Sequence, residues 1–300
     1  MLLKYIFIYQ INYIYIYIYM FLIISSNNYS EYTKKNYSDF LKVSLQSLYI
    51  NSKNSITLYL VNFNKDFINN IKKKYENITI ISEKIPEDNK EYFRHQMMCA
   101  RYKMINSILE NPNNKWCIYI DSDMIIRKNL SNLINNIKNS HKSTIFVQHQ
   151  RKFSKIVNSD ILNFKIMNGN RERDPNIIMN TGFIGLNNTN ENKLFIKDVI
   201  KNIGISLNSD KLSTKADINK IWLPDQYSFL VSYAKFKNII SFSKLDITYN
   251  NHADVISVKM NKELLFNNKF HVWHCITLFN HPKFKKEFDY YLEEFNKHNI

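Results

Sequence analysis

The residues best suited to chemistry are Asp121 and Asp123, which follow the apolar run Trp116-Cys-Ile-Tyr-Ile120 and are separated by Ser122. Alternate side chains of an extended segment leave the same side of the chain, so the two carboxylates face one way. Like charges placed so close repel at neutral pH, and no basic residue lies within two positions of either. A divalent cation resolves the conflict, and hard carboxylate oxygens suit Mg²⁺ or Mn²⁺. A cation held by a strand-end carboxylate pair is in turn suited to binding a diphosphate.

The elements that must position this pair alternate along the first half of the chain. Met20-Phe-Leu-Ile-Ile-Ser25 reads as a strand with a polar end, Ser25-Ser26-Asn27. Tyr37 to Ile50 carries Phe40, Leu41, Leu45 and Leu48 at helical spacing. A strand at Ile56 to Val61, a helix over Asp66 to Tyr75, a short strand at Ile78 to Ile81 and a helix over Tyr92 to Leu109 precede the strand Trp116 to Ile120. This order predicts an α/β fold, a mostly parallel central sheet with helices on both faces. Ligands collect beyond the carboxyl ends of such strands, where Ser25, Asn27 and the two aspartates would meet.

The second half is less regular. Thr144 to Val147 reads as a strand and Arg151 to Pro175 as a charged connection. Ile177 to Leu186 is apolar around Asn180-Thr181-Gly182, with Gly182 suited to a bulge or a close backbone approach. Pro224 sits in the first turn of a helix that also carries Asp225 and Gln226. Phe270 to His274 is a late strand, and Phe284 to Lys297 a closing amphipathic helix.

Composition excludes several classes. The chain has 300 residues and 4 glycines, Gly169, Gly182, Gly185 and Gly204, too few and too scattered for a phosphate-cradling or dinucleotide loop. Of 41 Lys and Arg residues only Arg94, Arg101, Arg127, Arg151, Arg171 and Arg173 are arginine, and the net charge is +15. The lysines are spread along the chain without a basic helix or an aromatic–basic ladder, so no nucleic-acid partner is expected. Cys99, Cys117 and Cys275 form no C-x-x-C pair, which fits a cytoplasmic site, or a membrane surface facing a reducing compartment.

Residues 1–19 form an apolar extension ending in an Ile-Tyr alternation, either a membrane anchor or the result of a start assigned upstream of Met20. Its length approaches that of a spanning helix, but Lys4, Gln10, Asn12 and its many tyrosines suit the interface better than the bilayer centre. Membrane association would run through this segment, and residues 20–300 form one catalytic domain.

In this order, the early strand, the Arg-bearing helix, Ile-Tyr-Ile-Asp121-Ser-Asp123, Asn180-Thr-Gly-Phe-Ile-Gly-Leu, Asp225-Gln226 and the late strand ending in His274 resemble the GT-A glycosyltransferases. The resemblance covers roughly residues 20–283 and is greatest to the group containing glycogenin and bacterial lipopolysaccharide galactosyl- and glucosyltransferases. It implies a GT-A fold and transfer of a hexose from a nucleotide-diphospho-sugar, with UDP as the expected carrier, to a glycan, lipid-linked sugar (glycolipid) or protein (glycoprotein) acceptor.

By the same resemblance Asp121, Asp123 and His274 would hold Mn²⁺ or Mg²⁺. Ser25 and Asn27 would lie against the nucleoside, and Arg101 would pair with the donor's sugar or phosphate. Asn180, Asp225 and Gln226 would line the sugar and acceptor side. The family's Gly and Lys-Pro-Trp after the histidine are missing here, leaving Lys283 as the candidate contact to the diphosphate. His271 and His281 stand as alternatives to His274.

The resemblance points to retention of the sugar's configuration; inversion would need a base, for which Asp225 is the candidate. A haloacid-dehalogenase-type phosphatase, which also places Asp-x-Asp after a strand, and a basic non-enzymatic nucleic-acid-binding protein are the alternatives.

Overall fold

A computed structural model of the chain describes residues 20–27, 29–30, 35–52, 54–86, 90–151, 177–207, 224–245, 247–249, 270–274 and 282–297. The expectations for residues 1–19, for the connection beyond Arg151, and for Cys275 and His281 lie outside the described residues.

Strand β1 (Met20–Ser26) is the axis of the fold. Residues 21–25 are all buried, which requires cover on both faces of the sheet. Side-chain alternation sends Phe21 and Ile23 to one face, where Leu41, Leu45 and Leu48 of α1 (Tyr37–Asn51) cover them. Leu22 and Ile24 go to the other, against Tyr102, Ile105 and Leu109 of α3 (Lys90–Glu110). Two short strands, β2 (Tyr29–Ser30) and β3 (Lys35–Asn36), pair with each other just before α1.

On one side of β1 lie β4 (Ser55–Val61) and β5 (Ile78–Glu83), joined by α2 (Lys65–Lys74). Asn64 caps α2 by accepting from Phe67 N. On the other side lies β6 (Trp116–Asp121), parallel to β1 with Ile24 opposite Asp121.

Beyond β6 the chain departs from the parallel pattern. The short strand β7 (Met124–Ile126) leaves the main sheet, followed by α4 (Ser131–Lys138) and β8 (Thr144–Arg151). Strand β9 (Ile177–Asn187) inserts antiparallel between β6 and β8, while β10 (Ser241–Lys244) pairs parallel with β8. The resulting seven-stranded order is β10-β8-β9-β6-β1-β4-β5. Helices α5 (Asn190–Leu207) and α6 (Pro224–Phe236) follow β9, with Phe195 and Phe229 packed edge to face at 4.9 Å.

The late strand β11 (Val272–His274) does not enter the main sheet. It pairs antiparallel with β7, setting His274 opposite Met124. Helix α7 (Pro282–Lys297) closes over this ribbon through Phe284 and Phe288, which share a core with Phe40, Val43 and Trp273. Helix α1 is thus buried on two sides, against the main sheet and against the ribbon. No described helix is long and apolar enough to cross a membrane.

Candidate functional site

Strand parity decides which way the aspartates point. Trp116, Ile118 and Ile120 fill the core beneath α1, so Cys117 and Tyr119 face α3, and Asp121 continues their row. At the strand's end the chain turns through Ser122 and Asp123 directly into β7. The β7–β11 ribbon returns His274 to the same point. Its Nε2 lies 3.4 Å from Asp123 Oδ1 and 4.0 Å from Asp121 Oδ2. One ligand atom from each of Asp121, Asp123 and His274 falls within 4.8 Å of the others. Asp123 and His274 are 4% and 6% exposed, so this is a recessed site and not a solvated acidic loop.

Two carboxylates and an imidazole converging in a recess fit a divalent cation by donor type. Their electrostatics agree. Burial raises the pKa of Asp121, and Asp123 adds to the rise, while Arg101 and His274 oppose it. Burial pulls His274 down, but the charges of Asp123 and Asp121 outweigh it and hold the imidazole above its ordinary value. A protonated His274 and a divalent cation are alternative partners for the same pair of carboxylates.

Asp121 has no basic neighbour along the chain, but it has one in space. Arg101 reaches from α3 to place Nη2 2.9 Å from Asp121 Oδ1 and Nη1 2.7 Å from Asp225 Oδ2. The same Nη1 donates to Thr181 Oγ1 at 2.9 Å and to Thr181 O at 3.2 Å. Its guanidinium lies 4.6 Å from the centre of the Tyr119 ring, and the Tyr119 hydroxyl donates to Asp121 Oδ1. Thus Arg101 and Tyr119 hold one oxygen of Asp121, and the other faces His274. The expectation that a cation alone relieves the charge on the aspartates is corrected to this extent.

The Asn180-Thr181-Gly182 segment sits opposite a register shift in β9. Gln148 pairs with Asn180, whereas Val147 pairs with Ile184, so residues 181–183 bulge toward the site. Asn180 Oδ1 accepts from Gly182 N at 2.9 Å, turning that side chain onto its own backbone. A Cβ on Gly182 would stand 2.6 Å from Asp121 Oδ2, so only glycine admits the carboxylate there.

The other expected residues fall into place unevenly. Ser25 is buried at the tip of β1, one position beyond the partner of Asp121, and its hydroxyl has no hydrogen-bond partner among the described residues. Asn27 is exposed beyond that tip, its N–H bound to Val61 O at 3.0 Å. Asp225 is buried in the first turn of α6 and faces Arg101, with half-buried Gln226 beside it. Lys283 is exposed in the first turn of α7. His271 points elsewhere: its ring stacks on Tyr249, and Nδ1 lies 3.3 Å from Asn129 O.

Sequence reasoning missed Tyr119 and Thr181. The signal for Tyr119 was available, since it stands two positions before Asp121 on the same strand face. Thr181 had none beyond its place next to Asn180.

No protein-family model and no curated protein matches the chain by sequence. Solved structures do match it. Mouse xyloside xylosyltransferase 1 aligns with a TM-score of 0.51 at 13% identity, covering 86% of this chain and 98% of that one. The galactosyltransferase LgtC, solved with donor and acceptor sugar analogues, aligns with a TM-score of 0.50 at 12% identity, over 93% and 95% of the two chains. The glycosyltransferase GlyE of Streptococcus pneumoniae TIGR4 aligns with a TM-score of 0.51 at 14% identity over 93% of this chain, which spans 64% of GlyE. The chain has the GT-A fold found in these glycosyltransferases.

Proposed function

We propose that the protein is a metal-dependent glycosyltransferase that moves a hexose from a nucleotide-diphospho-sugar, with UDP as the carrier, to a carbohydrate, glycolipid or glycoprotein acceptor. The observation that carries this reading is the convergence of Asp121, Asp123 and His274 at the carboxyl end of β6, beside the tip of β1, in a GT-A fold. Those three residues would hold Mn²⁺ or Mg²⁺. Bound there, the cation supplies positive charge against the diphosphate that leaves when the sugar–phosphate bond breaks.

The chain's own residues do the rest. Arg101 and Tyr119 fix one oxygen of Asp121, so the other is presented without a search of rotamers. The buried Ser25 hydroxyl lacks a partner among the described residues and is poised to bond a nucleoside, with Asn27 beside it at the strand tip. Asn180, Asp225 and Gln226 form the sugar and acceptor side, and Lys283 is the candidate for the diphosphate.

Asp225 Oδ2 accepts from Arg101 Nη1 and Thr181 Oγ1, so that oxygen is engaged within the protein and not with an acceptor hydroxyl, which favours retention over inversion. Any membrane association would run through residues 1–19, and the proposed setting of the catalytic domain is cytoplasmic or a membrane surface facing a reducing compartment.

The phosphatase alternative is not favoured. The chain has the GT-A fold, and its fold neighbours are glycosyltransferases. A thermal-shift screen of nucleotide-sugars with and without Mn²⁺ tests the reading, followed by release of nucleoside diphosphate from any hit. A rise in melting point for one donor, dependent on Mn²⁺, is the expected result. A panel that gives no shift, together with turnover of a simple phosphomonoester, would overturn it.

A further inference from the structure

We propose that Arg127 and Glu287 form a clamp that aims His274 at the metal site, Arg127 being a positioning residue that acts through Trp273. The inference rests on the metal-binding reading above. Strand β11 is three residues long and, among the described residues, pairs with the three residues of β7. A two-stranded ribbon of that length holds its own geometry weakly.

The β7 side is anchored from α1: Ser47 Oγ accepts from Ile126 N at 2.9 Å, and Asn51 Nδ2 donates to Ile126 O at 2.8 Å. The β11 side is held through Arg127, the residue that follows β7, and just before the strand through His271, whose N–H donates to Thr248 O at 2.7 Å and whose ring stacks on Tyr249.

Arg127 makes four kinds of contact, one of them from Nη1 to Phe270 O at 3.5 Å. Its backbone N–H donates to His271 O at 2.7 Å, lengthening the ribbon by one pair. Its guanidinium lies flat enough to bring the central carbon 3.7 Å from the centre of the Trp273 ring. Nε and Nη2 fork onto Glu287 of α7 at 2.9 Å and 2.8 Å. The indole also belongs to a buried cluster with Phe40 and Phe284, whose ring centre lies 6.0 Å from its own.

Trp273 and His274 are consecutive in a strand, so they leave on opposite sides. Fixing the rotation of the indole therefore fixes the direction of the imidazole. Glu287 does not approach the ligands, but it sets the guanidinium that sets the indole.

An ordinary surface ion pair would look different. Arg127 is 12% exposed, bidentate and stacked, the geometry in which arginine is not replaceable by lysine. Asp121 is held independently of the clamp by β6, Arg101 and Tyr119, and Asp123 follows it two residues on, directly before β7. Loosening the clamp should therefore weaken only the imidazole arm.

The test is calorimetric titration of Mn²⁺ into the metal-free full-length protein, its Glu287→Ala and Arg127→Ala variants, and the same substitutions in a His274→Ala background. Circular dichroism at the titration temperature confirms the fold, and Glu287→Gln serves where Glu287→Ala does not fold. The clamp predicts a loss of affinity of ~10-fold for either variant in the His274 background, matched by weaker imidazole-nitrogen modulation in the Mn²⁺ spin-echo spectrum. It predicts no further loss when His274 is already alanine. Equal losses in both backgrounds, or no loss in either, overturn the clamp. An intact chain that takes up no Mn²⁺ overturns the metal reading itself, and the clamp with it.

Discussion

Gly182 and Asp121 approach so closely that a Cβ at position 182 would lie 2.6 Å from Asp121 Oδ2, the oxygen that faces His274. The contact ties the β9 bulge to the ligand pair, because a larger residue has to push the carboxylate or Asn180 aside. Gly182→Ala is expected to cost ~1–3 kcal/mol of stability by overpacking. It should weaken Mn²⁺ binding more than its stability loss alone implies. Urea denaturation and a Mn²⁺ titration on the same preparation separate the two effects.

Arg101 is expected to be a structural necessity as well as a site residue. It neutralises two buried or half-buried carboxylates, Asp121 and Asp225, and Arg101→Met leaves both without their partner. Removing one member of a buried ion pair typically costs ~3–5 kcal/mol. Urea unfolding of Arg101→Met should show a loss of that order. Arg101→Lys should recover only part of it, because an ammonium cannot fork between Asp121 and Asp225.

Tyr119→Phe offers a milder probe. The ring beneath Arg101 stays, and only the hydroxyl donor to Asp121 is lost. The expected stability cost is ~1–2 kcal/mol, since the acceptor keeps Arg101 as its second partner. Mn²⁺ affinity should fall by up to ~10-fold, because a fixed carboxylate becomes free to rotate. An unchanged affinity would show that Arg101 alone orients Asp121.

Much of this site was legible in the sequence because its core is local. The strand Trp116–Asp121, its polar turn and the parity of Tyr119 and Asp121 all lie within residues 116–123. The elements α1 to α3 fall within two residues of their expected bounds; α1 has an apolar row at Phe40, Leu41, Leu45 and Leu48, and α2 a capping Asn64.

What escaped was set by register. Arg101 and Asp225 are 124 positions apart, and only the sheet order β9-β6-β1 brings Thr181 between them. The choice between His271 and His274 likewise required knowing that β11 pairs with β7. Once that is fixed, His274 at the end of β11 faces Asp123, and His271, just before the strand, stacks on Tyr249 instead.

A pH dependence of stability follows from Lys74. Its ammonium donates to the carbonyls of Glu294 and Phe295 near the end of α7 and lies 4.2 Å from the Phe295 ring centre. Burial pushes its pKa down to about 8, with Glu294 opposing in part. Between that value and the ordinary lysine range, the unfolded chain holds a proton that the folded chain has released. Stability therefore rises with pH in that window, and below about 8 the full penalty of the buried charge is present. The urea midpoint should climb between roughly pH 8 and 9.5, and Lys74→Met should flatten that slope. An identical slope in the variant would assign it to other groups.

The central claim is that two carboxylates and an imidazole seat a cation which in turn seats a diphosphate. Calorimetric titration of UDP into the wild-type protein and Asp123→Asn, each with Mn²⁺ and with chelator, tests it most directly. The account predicts measurable UDP binding only for the wild type with Mn²⁺, with Asp123→Asn remaining folded but binding at least ~10-fold more weakly. Equal UDP binding in chelator, or in Asp123→Asn, would contradict it.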